Sequence, residues 1–402
     1  MSTELNVSAR PPRIAIVGSG PSGCYMAQSL RKAWRDAEIV IYDRLDEPYG
    51  LLRYGVAPDH LGTKGITKQF DRLFSRDGVA FVGGTEIGRD ISVQQLRAQY
   101  DAVVLATGLW GDRIIDGFHD PEGATARTGI YGSGELTRVI NGFPQQDGTR
   151  VRLGRRTTIV GNGNVAIDLV RLLLASPQRL AEVGVPRGVI DALGTGGPLE
   201  RIDVVGRSGA ERAKFDVAML RELEKMPDVR FTSDADSPAD QVEGDGAKKL
   251  EALEDLCKLP SGPLAREVNF RFGWTPDHII GDERVEQAVF RCTDGARDEL
   301  RLEVDSVCTA VGFTEVANDV LQRRRFESEH SDLEAGVLGE RLYCVGWLRR
   351  GPVGTIPTNR ADARTVAKRI VADIEESGAP DAIPITQRAR PTRKTTRLKE
   401  TA

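Results

Sequence analysis

Short runs of β-branched and aliphatic residues alternate along the chain with stretches in which apolar positions recur every three or four residues. The first run, residues 13–18 (RIAIVG), breaks at a glycine-rich turn and continues with helical spacing in CYMAQSLRKAW. Residues 38–43 (EIVIYD) and 100–108 (YDAVVLATG) are further apolar runs that predict buried strands. Strands that alternate with helices in this way predict a parallel sheet.

The same pattern begins again in the middle of the chain. Residues 156–164 (RTTIVGNGN) predict a strand and a glycine turn, VAIDLVRLLL predicts the following helix, and residues 201–207 (RIDVVGR) predict the next strand. Residues 232–263 are acidic and interrupted by Gly and Pro, so we predict a surface excursion with one helix in AKKLEALEDLC. The fold class is therefore predicted to be α/β, with two Rossmann-like three-layer nucleotide-binding domains.

Composition places the chain among ordinary globular proteins. Its 402 residues are 40% hydrophobic and 28% charged, and this length favours two or three domains. The 55 basic and 59 acidic residues give a net charge of -4, so no global basic field favours nucleic acid or a membrane surface. No apolar run reaches the ~18 residues of a membrane span. Residues 1–13 (MSTELNVSARPPR) lack an apolar core, so we expect neither a secretory signal nor a transit peptide.

The cysteines lie far apart, and no two of them form a C-x-x-C pair. This spacing predicts reduced thiols in a cytoplasmic protein rather than a disulfide framework, a zinc ribbon or an iron–sulfur site. His119, His278 and His330 form no spaced cluster, so no metal site is predicted. The end of the chain is rich in Lys and Arg, which predicts a basic tail from about residue 386.

The first glycine motif is Gly18-x-Gly20-x-x-Gly23, which lies between the first predicted strand and helix. Gly18 permits a tight turn, Gly20 lets the backbone approach a pyrophosphate, and Gly23 lets the helix pack closely on the strand. Asp43 ends the second predicted strand, where a carboxylate can accept hydrogen bonds from ribose hydroxyls. The motif, its strand–helix context and the acid together predict a dinucleotide site.

The second motif, residues 161–166 (GNGNVA), repeats this device with Ala166 in place of the third glycine. The acid at the next strand end is replaced by Arg207, in a basic neighbourhood that includes Arg212 and Lys214. A guanidinium can pair with a 2′-phosphate, which a carboxylate would repel, so the motif predicts NADP(H) over NAD(H). Two dinucleotide units in one chain favour a flavin that stays bound and a nicotinamide that visits.

Two longer blocks carry a resemblance to a known family. Residues 48–60 (PYGLLRYGVAPDH) and residues 346–356 (GWLRRGPVGTI), together with GNGNVAID, are similar to adrenodoxin reductase and the bacterial ferredoxin–NADP reductases of that type. The likeness runs from about residue 13 to residue 370.

The resemblance implies a domain organisation and a reaction. An FAD-binding domain would combine residues 1–108 and 315–402, and an inserted NADP(H)-binding domain would span residues 109–314. The implied enzyme is a ferredoxin–NADP⁺ reductase, in which a hydride passes from NADPH to FAD and electrons then pass singly to an acidic ferredoxin. We expect a cytoplasmic monomer that binds neither nucleic acid nor membrane.

The resemblance also implies roles for individual residues. His60 and Asp168 match a His–Asp pair near the flavin that is implicated in proton and electron transfer, and they are the predicted catalytic residues. The alternative is a structural pair that ties the two domains together. The implied FAD-binding residues are Gly18, Gly20, Ser22, Gly23, Asp43, Leu51, Ile87, Trp347, Gly354, Thr355 and Ile356. The implied NADP(H)-binding residues are Asn162, Gly163, Asn164, Val165, Arg207 and Ser208, with Gly354 shared near the nicotinamide.

Two positions depart from the family pattern. The family usually has a second Arg where this chain has Ser208 and a Glu where it has Met219. Losing one guanidinium weakens 2′-phosphate recognition unless Arg212 or Lys214 compensates, so a relaxed preference for NADPH over NADH stays open.

Charge also gives a candidate docking surface. Arg221, Lys248 and Lys249 could form a basic face for an acidic ferredoxin, because opposite charges speed the encounter of electron-transfer partners. The alternative is an ordinary solvated face.

Other function classes remain open at this point. A flavin-dependent disulfide reductase is disfavoured because no nearby Cys pair exists, and a monooxygenase because the two specific blocks match a different family. An electron-input subunit like that of glutamate synthase usually carries a Cys-rich N-terminal module, which this chain lacks. A non-enzymatic flavoprotein that senses bound nucleotides is the alternative from a different class.

Overall fold

The computed structural model describes residues 10–119, 127–144, 146, 151–194, 198–235, 242–263, 265–316 and 321–377. The predicted basic tail from about residue 386 lies outside these residues. The strands are β1 (Arg13–Val17), β2 (Glu38–Tyr42), β3 (Ala80–Val82), β4 (Ala102–Leu105), β5 (Gly111–Asp112), β6 (Ile130–Gly132), β7 (Arg156–Val160), β8 (Arg201–Gly206), β9 (Val229–Ser233), β10 (Arg266–Phe272), β11 (Trp274–Ile280), β12 (Gln287–Cys292), β13 (Leu300–Glu303), β14 (Ser306–Thr309), β15 (Phe313–Thr314), β16 (Val337–Gly339) and β17 (Leu342–Cys344).

The α-helices follow in the same order. They are α1 (Pro21–Ala33), α2 (Leu51–Tyr54), α3 (Leu61–Lys64), α4 (Thr67–Ser75), α5 (Val93–Gln99), α6 (Ser133–Ile140), α7 (Asn164–Leu174), α8 (Pro177–Glu182), α9 (Arg187–Gly194), α10 (Val217–Arg221), α11 (Asp245–Cys257), α12 (Trp347–Arg350) and α13 (Ile356–Ser377). Among the described residues, no helix is both long enough and apolar enough to cross a membrane.

The chain divides into two compact units. Unit 1 comprises residues 1–50, 66–109 and 318–402, and unit 2 comprises residues 51–65 and 110–317. The predicted FAD-binding domain has the bounds 1–108 and 315–402, and residues 51–65 of that range belong to unit 2.

Residues 51–65 join unit 2 because side chains of that unit hold their backbone. Asn141, which ends α6, donates hydrogen bonds from Nδ2 to the carbonyl oxygens of Tyr54 at 3.2 Å and Val56 at 3.0 Å. Lys64 Nζ in turn donates a hydrogen bond to Asn141 Oδ1 at 2.6 Å. The Tyr54 and Phe143 rings also pack edge to face, with centroids 5.0 Å apart.

Unit 1 is built on a six-stranded sheet with the order β16-β17-β4-β1-β2-β3. Its strands run parallel except for the β16–β17 pair, and β1 lies between β2 and β4. Ile14, Ala15 and Ile16 of β1 are fully buried, as expected of a parallel strand covered on both faces. Helix α1, which follows β1, packs against α13 and α4.

Unit 2 repeats this architecture with a parallel six-stranded sheet, ordered β6-β14-β7-β8-β10-β9. It adds a three-stranded antiparallel sheet, β11-β12-β13, that the sequence analysis did not predict. The predicted α/β class with two nucleotide-binding folds is confirmed.

The prediction of a surface excursion over residues 232–263 was wrong in its main point. The predicted helix exists as α11, but Leu250, Leu253 and Leu256 on one face of it are at most 2% exposed. These side chains belong to the hydrophobic core of unit 2. Helix α11 is an ordinary crossover helix that connects the neighbouring parallel strands β9 and β10. The acidic residues around it had suggested a surface segment instead.

Candidate functional site

The first glycine turn connects β1 to α1 in unit 1. Gly18 has φ +106°, and a Cβ there would lie 2.5 Å from the carbonyl oxygen of Ala106. A Cβ on Gly23 would overlap the carbonyl oxygen of Gly18, so helix and turn approach as the motif predicts. At Gly20, which caps the start of α1, no described atom lies within 4 Å of the Cβ position. The turn thus leaves open space at unpaired helix N–H groups, and that arrangement fits a pyrophosphate.

Asp43, the predicted ribose ligand, is only 8% exposed and braces this turn. Its Oδ2 accepts hydrogen bonds from the Ser19 backbone N–H at 2.8 Å and the Ser19 hydroxyl at 2.5 Å, and its Oδ1 accepts one from the Leu45 N–H at 2.9 Å. A carboxylate has about four acceptor positions, so a ribose hydroxyl can still be accommodated. The binding of a ribose by Asp43 stays a prediction, whereas the hydrogen bonds by which Asp43 holds the turn are observed.

The C-terminal block meets the first glycine turn directly. Gly346 has φ +74°, and a Cβ there would overlap the side chain of Ser22 in the first turn of α1. The Gly346 N–H donates to Asp362 Oδ2 at 2.5 Å, and Arg349 Nε donates to Asp362 Oδ1 at 2.8 Å. Because the Asp362 side chain is 1% exposed, this pairing fixes the block against the turn.

The other residues that the family implies at the flavin ring follow in the same block. Trp347 is half-buried at the start of α12, Gly354 and Thr355 are exposed, and Ile356 is half-buried at the start of α13. All four keep surface on which a ligand can pack. Unit 1 therefore fits a flavin dinucleotide, with an open helix start for its pyrophosphate and accessible aromatic and aliphatic side chains for its ring.

Two predicted FAD-binding residues are placed differently. The Ile87 side chain is 3% exposed and packs in the hydrophobic core of unit 1, so only its main chain is available to a cofactor. Leu51 begins α2 and belongs to unit 2.

The second glycine turn connects β7 to α7 in unit 2. Gly161 has φ +127°, and a Cβ there would overlap the carbonyl oxygen of Ala310. Gly163 caps the start of α7, and the nearest atom to its Cβ position is Lys214 Cβ at 3.7 Å. Ala166 is fully buried, which allows the close helix packing expected at the third position of the motif. The turn offers the same open helix start as the turn in unit 1.

The two asparagines of this turn hold a neighbouring loop. Asn162 Nδ2 donates to the Ser208 hydroxyl at 3.2 Å, and Asn164 Nδ2 donates to Asp216 Oδ2 at 2.6 Å. The Asp216 N–H also donates to Asn164 Oδ1 at 2.7 Å. These side-chain groups are engaged within the protein, so the main-chain N–H groups of Gly163, Asn164 and Val165 are the donors best placed for a cofactor.

Arg207, the residue predicted to bind the 2′-phosphate, directly follows β8. The Arg207 side chain is exposed and forms no ion pair with the described part of the chain. Arg212, by contrast, pairs with Glu211 at 3.1 Å. Met219, where the family has Glu, packs against the hydrophobic core of unit 2.

The predicted catalytic residues lie together in unit 2. His60 Nε2 is 3.2 Å from Asp168 Oδ1 and 3.8 Å from Glu222 Oε2. At these distances Nε2 completes a hydrogen bond with neither oxygen. His60 precedes α3 and Asp168 lies on α7, so the pair joins residues 51–65 to the helix of the second glycine turn.

Sequence reasoning missed the residue at the centre of this cluster, Arg171. Its side chain is 8% exposed, and its Nη2 donates to Asp168 Oδ1 at 2.6 Å and to Asp59 Oδ1 at 3.1 Å. Its Nη1 donates to Glu222. One guanidinium thus holds three carboxylates around the imidazole. The spacing of Asp168 and Arg171, i and i+3 on a helix, was the signal available in the sequence.

Burial and neighbouring charges set the protonation of this cluster. Burial raises the pKa of Asp168 to about 6, although His60 and Arg171 counteract the rise and Asp59 adds to it. Asp168 therefore changes charge in the neutral pH range, unlike an ordinary surface aspartate.

All five cysteines are free thiols. Burial raises the pKa of the Cys308 thiol to about 12, so it is not a reactive thiolate at neutral pH. Within the described ranges, no three His, Cys, Asp or Glu side chains are arranged to hold a metal ion.

Comparison with known proteins identifies the class. Residues 12–183 match the family described as pyridine nucleotide-disulphide oxidoreductase. Cindoxin reductase of Citrobacter braakii is 46% identical over 372 residues, covering 92% of this chain and 79% of that protein. Mitochondrial NADPH:adrenodoxin oxidoreductase of Arabidopsis thaliana is 29% identical over 92% of this chain and 84% of that protein. The structure of Mycobacterium tuberculosis FprA in complex with NADPH superimposes with a TM-score of 0.81 at 28% identity, covering 93% and 88% of the two chains.

The two glycine turns and the paired parallel sheets define a pyridine-nucleotide flavoprotein oxidoreductase. More narrowly, the chain belongs to the ferredoxin–NADP reductases of the adrenodoxin reductase type, as the sequence blocks predicted. It is an FAD-dependent enzyme that uses NADP(H), and it carries electrons between NADPH and a ferredoxin.

Proposed function

We propose that unit 1 holds FAD and unit 2 holds NADP(H), and that the electrons leave to an acidic iron–sulfur ferredoxin. The observation that carries this assignment is the difference between two otherwise matched turns. In unit 1 the neighbouring strand is followed by the carboxylate of Asp43, whereas in unit 2 it is followed by the guanidinium of Arg207, which forms no ion pair with the residues described. A 2′-phosphate is repelled by the first and attracted by the second.

Bound FAD would supply the chemistry that links the two-electron hydride donor NADPH to a one-electron iron–sulfur acceptor. The protein's part is to bind and orient both cofactors and to control protons. We infer that the helix-start N–H groups beside Gly20 and Gly163 hold the two pyrophosphates. The rigid block from Gly346 to Ile356 would line the flavin ring.

His60 and Asp168 would supply the proton control. Asp168 exchanges a proton near pH 6, and His60 lies within 3.2 Å of it. An acid and a base at this distance can pass a proton once their hydrogen bond is aligned, and such alignment commonly comes with substrate binding. Arg171 keeps the carboxylate in place beside the imidazole.

We expect Asp168→Asn to lower the rate of NADPH-dependent ferredoxin reduction by at least about 100-fold at pH 7.5, the lower end of what a lost acid–base group costs. Above pH 6 the wild-type carboxylate is charged, and the amide copies only its protonated form. The wild-type rate should therefore rise as the pH passes through 6, and the variant should lack this step. The measurement is the pH profile from 5 to 8, with flavin content as a check on FAD binding.

The matched control is Asp191→Asn, an exposed aspartate on α9 that pairs with Arg187. It should keep both the rate and the pH step. A step at pH 6 that persists in Asp168→Asn would assign the titration to another group and remove Asp168 from the mechanism.

The acceptor would dock through surface cations of unit 2. Arg221 and Lys248 are exposed and form no ion pair with the described residues. Lys249, predicted on the same face, is instead bound to Asp245 at 2.5 Å and to the Ala213 carbonyl oxygen at 3.1 Å. We propose that Arg221 and Lys248 attract an acidic ferredoxin, since complementary charge speeds encounter.

A further inference from the structure

The loop that follows β8 lies across the second glycine turn and is fastened to it at both ends. At its start, the Ser208 hydroxyl accepts the hydrogen bond from Asn162 Nδ2 at 3.2 Å. At its end, Asp216 makes two hydrogen bonds to the Asn164 side chain, at 2.6 and 2.7 Å. Asn162 belongs to the turn itself, and Asn164 is the first residue of α7. The position of the loop relative to the turn is therefore fixed by side-chain hydrogen bonds rather than by chain connectivity alone.

Lys214 lies between these two fastenings. Its backbone N–H donates to the Asn162 carbonyl oxygen at 3.0 Å, and it forms an isolated β-bridge with Gly163. Its Cβ is 3.7 Å from the position that a Cβ on Gly163 would take. Gly163 is the glycine whose missing side chain leaves room for a pyrophosphate. Lys214 thus borders the space that this glycine keeps open.

The Lys214 ammonium has no competing partner in the described chain. The side chain is exposed and makes no hydrogen bond or ion pair there. The nearby Arg212 differs, because it pairs with Glu211. A lysine stem of four carbons carries its charge about 5 Å from Cβ, far enough to reach a group at the start of α7.

We propose that Lys214 binds the pyrophosphate of the nicotinamide dinucleotide. This inference rests on the proposed assignment of the second turn to NADP(H). Since NADPH and NADH share the pyrophosphate, Lys214 strengthens the binding of both. Arg207, at the end of β8, is then the residue that distinguishes them through the 2′-phosphate. The family usually has a second Arg at the position of Ser208, on the same loop as Lys214. Lys214 thus supplies a positive charge for phosphate binding on a loop that lacks this second Arg.

The test is equilibrium titration of the FAD-containing protein with NADP⁺ and, separately, NAD⁺, followed by the flavin difference spectrum. Lys214→Met should raise both dissociation constants by about tenfold, as expected for one charge-assisted contact, and leave their ratio unchanged. Lys214→Arg should restore most of the affinity. Arg187→Met, the loss of one exposed cation on α9, should change neither constant by more than about twofold. Unchanged flavin absorbance and Tm confirm that each variant is folded.

Three results would overturn the inference. Unchanged binding of both nucleotides in Lys214→Met would show that the ammonium does not contact them. Weaker binding of NADP⁺ alone would assign Lys214 to the 2′-phosphate instead of the pyrophosphate. Wild-type protein that binds neither nucleotide would overturn the proposed function of unit 2, and this inference with it.

Discussion

Gly163→Val should raise the KM for NADPH by at least about 100-fold while the protein keeps its FAD and its stability. Gly163 has φ -97°, which any residue adopts, and its nearest neighbour would be Lys214 Cβ at an ordinary 3.7 Å. A valine there is therefore tolerated by the fold. Its methyl groups would occupy the space at the start of α7 where the pyrophosphate must approach the backbone.

Gly20→Val is the matched variant in unit 1. Gly20 has φ -64° and open space around its Cβ position, so this chain should also fold, but without FAD. Gly18→Val is the contrast, because φ +106° and the Ala106 carbonyl oxygen exclude a side chain there, and we expect misfolding. Flavin absorbance per protein, Tm and NADPH titration separate the three. Loss of FAD from Gly163→Val and of NADPH binding from Gly20→Val would reverse the assignment of the two units.

The second large effect is expected from Arg171→Met, which removes the cation from the cluster around His60. Asp59, Asp168 and Glu222 would then face one another without their guanidinium. Breaking a buried ion pair by deleting one partner costs about 3 to 5 kcal/mol. The Glu222 side chain is 37% exposed and its share is screened by solvent, so we expect the lower end, about 3 kcal/mol.

The loss of stability in Arg171→Met should increase with pH. Arg171 opposes the rise in the Asp168 pKa, so without the guanidinium this pKa rises further above its value in the unfolded chain, and the folded variant binds more protons than the unfolded one. Its stability then falls as pH rises through this raised value. Asp168, with a pKa of about 6 in the wild type, already lies near this range. The destabilisation should therefore be larger at pH 8 than at pH 5.5.

Thermal unfolding of the holoenzyme at the two pH values measures this. Arg187→Met serves as the control, because the Arg187 side chain is 87% exposed and its pair with Asp191 should contribute little at either pH. An equal fall in Tm at pH 5.5 and pH 8 for Arg171→Met would mean that Arg171 contributes packing and not charge balance.

The features that the sequence predicted are those with a local cause. Gly18 and Gly161 adopt φ +106° and +127°, which only glycine takes readily. The glycines in the sequence therefore indicate where the two turns form. The apolar runs of β1, β2 and β7 are equally local. Such patterns can be recognised without knowing the rest of the fold.

The Arg171 cluster could not be predicted in the same way. Asp59 and Glu222 lie 112 and 51 residues from Arg171 in sequence, and the fold alone brings them together. Asn162 and Asn164 show a related limit. The motif marks where the backbone can approach a phosphate, but it does not reveal that both side chains hold the loop from Ser208 to Asp216.

The division of residues 48–60 between the two units also depends on contacts with residues far away in the sequence. This block reads as one continuous motif, yet the chain passes from unit 1 to unit 2 after Gly50. The hydrogen bonds from Asn141 that attach the second part come from a helix far along the chain. Sequence similarity located the motif but not the unit in which each part packs.

The most direct test of the whole account is anaerobic stopped-flow absorbance of the wild-type protein. We expect NADPH to bleach the bound flavin rapidly and NADH to do so more slowly. An added acidic [2Fe–2S] ferredoxin should then restore the flavin absorbance in two one-electron steps. A flavin that neither nucleotide reduces, or one that NADPH reduces but no ferredoxin reoxidises, would contradict the account.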